Sequence, residues 1–229
     1  RLLLFLRKRF DKDAFTGLPL TIFSAVFLIF LGTFAGITDA IVNSLAIVKL
    51  DDNFERFLYA LRTPLGANIF YVITNFAGQT TIIILGVATA IYLLFRKEFL
   101  YLYTLMLIFA GTESSVYLIK IMINRPRPIA DIAYYIESSG SFPSGHSAIA
   151  MAFFGFITYY IVRHITGKNN RTIVVTLGSI LIFLIGFSRL YLGVHFLSDV
   201  LGGFLIGGLW LIAGITIREH RFYLASLKK

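Results

Sequence analysis

Three short clusters hold the side chains most able to do chemistry in this sequence. Lys120, Arg125 and Arg127 form the first, Ser144, Gly145 and His146 the second, and Ser188, Arg189, His195 and Asp199 the third. Several fixed cations with few carboxylates among them call for an anion, and guanidinium forks match phosphate oxygens two at a time. In Phe142-Pro143-Ser144-Gly145-His146 the serine can cap a helix and the glycine lets the backbone come close, so the first amides of that helix would face the anion. Pro-Ser-Gly alone is an ordinary helix start; the adjacent histidine and the cations turn it toward phosphate.

His195 and Asp199 stand one helical turn apart, where a carboxylate can hold one ring nitrogen protonated and leave the other free to attack. Two histidines at one anion allow a division of roles, with His195 as nucleophile on phosphorus and His146 as the acid that protonates the leaving oxygen. Neighbouring cations lower the proton affinity of both imidazoles while Asp199 raises that of His195, and the sequence leaves that balance open. Metal catalysis is the competing chemistry. The carboxylates near these clusters are few and the histidines lie beside cations, so neither a metal nor another cofactor is expected.

The elements that position these clusters must be membrane helices. With 57% hydrophobic residues, 14% charged residues and a mean hydropathy of +0.80, the chain is too apolar for an ordinary soluble domain. Runs near the length needed to cross a bilayer occupy Leu18 to Gly36, Ile69 to Phe95, Phe99 to Ile121, Ser147 to Val162, Ile173 to Phe187 and Phe196 to Ile217. The expectation is an all-α polytopic protein of six transmembrane helices in one domain, 1–229, in which the three clusters fall at helix ends on one side. Ionisable residues so near hydrocarbon are costly, which makes a convergent set a functional candidate.

The net charge of +9 is spread in small groups between apolar runs, which fits membrane orientation rather than nucleic-acid binding. Fourteen Lys and Arg fall in the termini and loops of one side and seven on the other, which predicts both termini in the cytoplasm and the clusters outside. On this reading residues 1–17 are a cytoplasmic segment, 37–64 an extracytoplasmic interfacial segment and 122–144 the active-site loop. Phe54, Phe57, Leu58 and Leu61 recur at helical spacing within 37–64, predicting an amphipathic helix capped by Asp51 or Asp52 and stopped at Thr63-Pro64. It would either serve as a connector tucked against the bundle or guide lipid. The absence of cysteine excludes disulfides and thiolate metal sites.

Lys120 followed by Arg127-Pro128, then Pro143-Ser144-Gly145-His146, then Ser188-Arg189 with His195 and Asp199 resembles the signature of the type 2 phosphatidic acid phosphatase superfamily, with no departure at any signature position. The resemblance implies a metal-free phosphohistidine mechanism in a six-helix bundle. Lys120, Arg127 and Arg189 would bind phosphate with help from Ser144 and the Gly145 amide, His195 would attack, His146 would donate a proton, and Asp199 would orient His195. It also implies a membrane lipid phosphate as substrate, undecaprenyl pyrophosphate first and phosphatidylglycerol phosphate second, as for bacterial members of the family. The stretch from Arg9-Phe10-Asp11 to Thr21, together with Leu61 to Pro64, is similar to phosphatase domains fused behind a DedA-type membrane domain, so such a domain is expected upstream.

Arg125 lies outside the signature and is assigned only a supporting charge. Glu113, seven residues before Lys120 and ~10 Å deeper on nearly the same face, could tune the site. Its alternative is a bundle-facing carboxylate satisfied by Thr112, Ser115 or another helix. The loop from Ile129 to Ser141, with Tyr134, Tyr135 and Glu137, would gate the entrance or place tyrosines at the interface. His164 and His220 read as bystanders. Two rival functions remain: a lipid phosphotransferase using the same phosphohistidine, and a lipid carrier or scramblase, for which Gly202, Gly203, Gly207, Gly208 and Gly214 would allow helix sliding. Close packing explains those glycines more simply.

Overall fold

The computed structural model describes residues 9–10, 14–129 and 131–227, and among these every regular element is a helix. Most of the basic residues of the N-terminal segment, and Lys228 and Lys229, lie outside the described residues. Helix α1 runs Leu18–Asn43, α2 Leu45–Ala60, α3 Pro64–Thr74, α4 Gln79–Phe95 and α5 Phe99–Ile123. After a long loop come α6 at Gly145–His164, α7 at Lys168–Tyr191 and α8 at Leu197–Ser226.

Five of these, α1, α5, α6, α7 and α8, are individually long and apolar enough to cross a membrane. Pro64–Ala77 and Gln79–Phe95 form a bent pair, meeting at 41°, that is together long and apolar enough for a sixth crossing. The single span expected over Ile69 to Phe95 is therefore broken. A 3₁₀ turn at Asn75–Ala77 ends α3, and Gly78 leaves helical geometry at ψ 148°. Similarly, α6 contains a π turn at Ala150–Phe154, one turn below His146.

The long helix α8 is central. Its small residues let it lie directly on α6: a Cβ on Gly203 would run into the Ser144 carbonyl and one on Gly207 into that of Ala148. Gly202, Gly208 and Gly214 are likewise filled by Phe142, Phe30 and Ile108. These glycines therefore serve close packing. A second apolar cluster built on Leu105, Ile108, Phe153, Phe156 and Ile185 joins α5, α6 and α7.

Helix α2 differs from expectation in its start and its contacts. Ser44, not Asp51 or Asp52, is its N-cap, accepting from the Ala46 amide at 3.3 Å, and α1 extends to Asn43 before it. Asp51, Glu55 and Leu58 form its buried face. Leu58 and Phe54 pack with Leu190, Val200 and Phe204, which seats α2 on α7 and α8. Arg62 ties the following turn to the bundle, donating to the Tyr191 carbonyl at 2.8 Å and the Ile132 carbonyl at 2.6 Å.

Candidate active site

The three clusters meet at one end of the bundle, each delivered by a helix terminus. Lys120 lies in the last turn of α5, which Asn124 closes in the left-handed conformation at φ 43°. Gly145 and His146 open α6 behind the Ser144 cap. His195 sits in the tight connection from α7 to α8, where Gly193 adopts φ 65° with Arg62 and Ile132 packed against its α-carbon, so a side chain there would be both strained and crowded. Asp199 lies in the first turn of α8 and accepts the Phe196 amide at 2.9 Å.

A cavity of about 630 Å³ is lined by Lys120, Glu137, Ser139, Gly145, His146 and His195 and, below them, by Glu113, Phe109 and Ile82. The two imidazoles thus share one chamber. Arg127 reaches its edge: one terminal nitrogen is 3.2 Å from His195 Nε2 and donates to the Val194 carbonyl at 2.8 Å. A guanidinium can only donate, so His195 Nε2 is an acceptor and its proton belongs on Nδ1, which faces Asp199 Oδ2 at 3.4 Å. Burial first, then the charges of Arg189, Arg127 and Lys120, holds the His195 imidazole well below its ordinary pKa. Cations and desolvation therefore prevail over Asp199, and the ring is neutral with a lone pair on Nε2.

The cations are occupied by the loop between α5 and α6. Glu137 is ion-paired with Arg127 at 2.6 Å and with Arg189. Burial raises the Glu137 carboxyl pKa, but the Arg189 and Arg127 guanidiniums outweigh that and hold it at about 2. Arg189, fully buried, also donates to Thr74 at 3.0 Å and to the Tyr135 hydroxyl. Lys120 donates to the Gly140 carbonyl. The loop thus supplies an internal anion, with Ser139 and Gly140 binding Arg127 as well.

Other expected residues fall elsewhere. Ser144 is fully buried and its hydroxyl takes the Ser147 amide at 3.5 Å and the Ser147 hydroxyl at 3.0 Å, so it caps the helix and does not line the cavity. Arg125 does not line it either; it binds Asp199 Oδ1 at 2.6 Å, Ser198 Oγ at 2.7 Å and Asp51 at 2.7 Å. Glu113 faces the chamber, and its expected hydrogen-bond partners are absent. The Thr112 hydroxyl is buried with no partner among the described residues, and Ser115 accepts from the Trp210 indole at 2.9 Å. Tyr135, expected only as part of a gating or interfacial loop, reaches Arg189, and Asp51, Ser198 and Thr74 were not expected at the site. No local motif marks them; only the fold brings them in.

Glu113 also lines a second cleft, of about 350 Å³, between α4 and α5, whose walls include Ile83, Val87, Met106 and Phe109. Ile83, Val87 and Met106 are exposed on the bundle's side, so the polar chamber continues into an apolar groove that opens laterally. Among the described residues no three His, Asp or Glu side chains converge as a metal-ligand set.

This arrangement has relatives. Residues 97–223 match the PAP2 superfamily. Phosphatidylglycerophosphatase B of Bacillus subtilis (strain 168) is 34% identical over 208 residues, 86% of this chain and 96% of its own length. Human dolichyldiphosphatase 1 is 30% identical over 168 residues, 69% of this chain and 68% of its own. The crystal structure of the Bacillus subtilis transmembrane PAP2-type phosphatidylglycerolphosphate phosphatase superposes with a TM-score of 0.78 at 29% identity, covering 85% of this chain and 96% of that one. Aquifex aeolicus LpxE superposes with a TM-score of 0.57 at 28% identity, over 75% and 95% of the two chains. These likenesses give the expected upstream DedA-type domain no support. In fold, signature residues and relatives alike, the chain belongs to the PAP2 superfamily, as a membrane-spanning phosphatase.

Proposed function

We propose that this protein removes phosphate from a membrane lipid, phosphatidylglycerol phosphate or undecaprenyl pyrophosphate, through a phosphohistidine and without metal. The observation that carries the reading is the single chamber shared by His146, His195 and Lys120, edged by Arg127 and continuous with an apolar groove. A lipid phosphate fits this division, its head among the cations and its chain between α4 and α5. The two relatives, a phosphatidylglycerophosphatase and a dolichyldiphosphatase, favour a glycerolipid phosphate and an isoprenoid diphosphate as the substrate classes.

In the proposed reaction the substrate phosphate displaces Glu137 from Arg127 and Arg189 and draws the Arg127 donor off His195 Nε2, which frees the lone pair. The Nε2 lone pair of His195 attacks phosphorus as the bond to the leaving oxygen breaks, and His146 supplies the proton that oxygen needs. The resulting phosphoimidazolium keeps its proton on Nδ1, where Asp199 balances the new positive charge. Water then attacks phosphorus, the P–N bond returns its electron pair to Nε2, and His146 takes the proton back. Lys120, Arg127, Arg189 and the amides at Gly145 stabilise the charge that builds on the equatorial oxygens, while Ser144 acts by holding the start of α6. The distribution of Lys and Arg supports cytoplasmic termini and an extracytoplasmic site.

The test is orthophosphate release by purified protein from phosphatidylglycerol phosphate, undecaprenyl pyrophosphate and phosphatidic acid, with wild type and His195→Ala compared in the presence of EDTA. We expect one orthophosphate per turnover, no chelator effect, and a loss in His195→Ala of at least about 10³-fold, as when a nucleophile is deleted. A folded His195→Ala protein with wild-type turnover, or EDTA inhibition reversed by one divalent ion, would overturn the mechanism.

A further inference from the structure

The side chain that orients His195 is itself held by residues no motif includes. Asp199 Oδ2 accepts the Phe196 amide and faces His195 Nδ1, while Oδ1 is taken by Arg125 at 2.6 Å. The other arm of the Arg125 fork goes to Asp51 Oδ2 at 2.7 Å. Asp51 also accepts the Ser198 amide at 3.0 Å and the Ser198 hydroxyl, and that hydroxyl accepts from Arg125 at 2.7 Å. The side chains of Asp51 and Asp199 are wholly buried and that of Arg125 is 7% exposed, so water does not substitute for any of these bonds. The Arg125 guanidinium also lies over the Phe196 ring, 4.4 Å from its centre.

We infer that Asp51, on the short helix α2, is a positioning residue for catalysis: through Arg125 it fixes the carboxylate of Asp199 and thereby the orientation and tautomer of His195. Two physical arguments support this. A planar fork bridging two carboxylates sets the rotation of both, which a single ion pair would not do. In addition, a lone Arg125 would neutralise Asp199. Sharing the guanidinium with Asp51 leaves the triad one negative charge, available to an imidazole that becomes cationic during reaction. The remaining charges facing His195 are Arg189, Arg127, Lys120 and Glu137, of which only Glu137 is negative, and it sits on the phosphate side. Helix α2, which reads from sequence as a connector or lipid guide, thus belongs to the catalytic apparatus.

The inference rests on the His195 mechanism above, and a double-mutant cycle separates the two. Asp51→Asn, Asp199→Asn and the double variant are compared in detergent micelles with a short-chain phosphatidic acid, measuring kcat, KM, inhibition by vanadate and thermal midpoint. Asp51→Asn is expected to lower kcat about 10-fold, the low end of the range for groups that hold a functional imidazole from outside, because it acts through Arg125 and Asp199, with KM little changed. That loss should disappear in the Asp199→Asn background, because Asp51 then has no carboxylate to act through. Should Asp51→Asn fail to fold, Ser198→Ala, which deletes the hydroxyl that accepts from Arg125 and donates to Asp51, takes its place in the cycle. Equal fold losses in both backgrounds, or an unaltered kcat, would reduce the network to a pin for α2 and overturn the inference. If His195→Ala retains activity, the mechanism itself falls, whatever Asp51 does.

Discussion

At the scale of single residues, the resting chamber is occupied by its own counter-ion. Glu137 satisfies Arg127 and Arg189, which relieves the cost of holding the buried Arg189 and the partly buried Arg127 guanidiniums beside one another. The same pairing means that an incoming phosphate must compete with a carboxylate that stays ionised to about pH 2. Replacing it with an isosteric amide removes the competitor's charge. We expect Glu137→Gln to bind vanadate and orthophosphate about 10-fold more tightly in inhibition assays, the size of one charge-assisted hydrogen bond. Weaker binding in that variant would mean that the loop carboxylate assists the ligand rather than opposing it.

At the scale of elements, α2 carries a second buried carboxylate besides Asp51. Burial, followed by repulsion from Asp52, raises the Glu55 pKa from 4.5 to about 7, and one of its oxygens has no hydrogen-bond partner among the described residues. A carboxyl group with a raised folded-state pKa stabilises the docked helix most when it is neutral. That stability is full below pH 4.5, declines as pH rises toward 7, and is lost above it. Glu55→Gln should therefore raise the thermal midpoint at pH 8 by a few degrees, as about 1–2 kcal/mol would in a chain of this size, and change little at pH 4.5. A thermal midpoint that is equal in both proteins at pH 8 would show that α2 undocks, or that water reaches Glu55.

The same helix shows where sequence reasoning succeeds and stops. Lys120, His146, Arg189 and His195 can be found from sequence because charged or titratable types beside apolar runs are costly and need a reason. The six apolar runs likewise follow from composition, although the bend at Gly78 does not, because Gly and Asn are tolerated within many continuous spans. Asp51 is different. On a polar amphipathic segment a carboxylate looks like a cap or a solvent-facing charge, and only the seating of α2 on α7 and α8 turns it inward. Glu137, in a loop rich in tyrosine and serine, gives no sign in sequence that it reaches two arginines.

At the scale of the whole molecule, α8 is the spine on which the other helices converge, and its glycines bring α6 close enough to place His146 in the same chamber as His195. The bent pair of α3 and α4 stands apart from that tight packing and leaves the groove beside α5 open along exposed Ile83, Val87 and Met106. A reactant that enters sideways never becomes a free solute, so the relevant concentration is its number per unit area of bilayer. Turnover in vesicles should then follow the substrate's mole fraction: adding inert phosphatidylcholine at constant total substrate should slow the reaction in proportion to the dilution of the surface. A rate indifferent to that dilution would mean that substrate arrives from the aqueous side, and the groove would then have to serve something other than delivery.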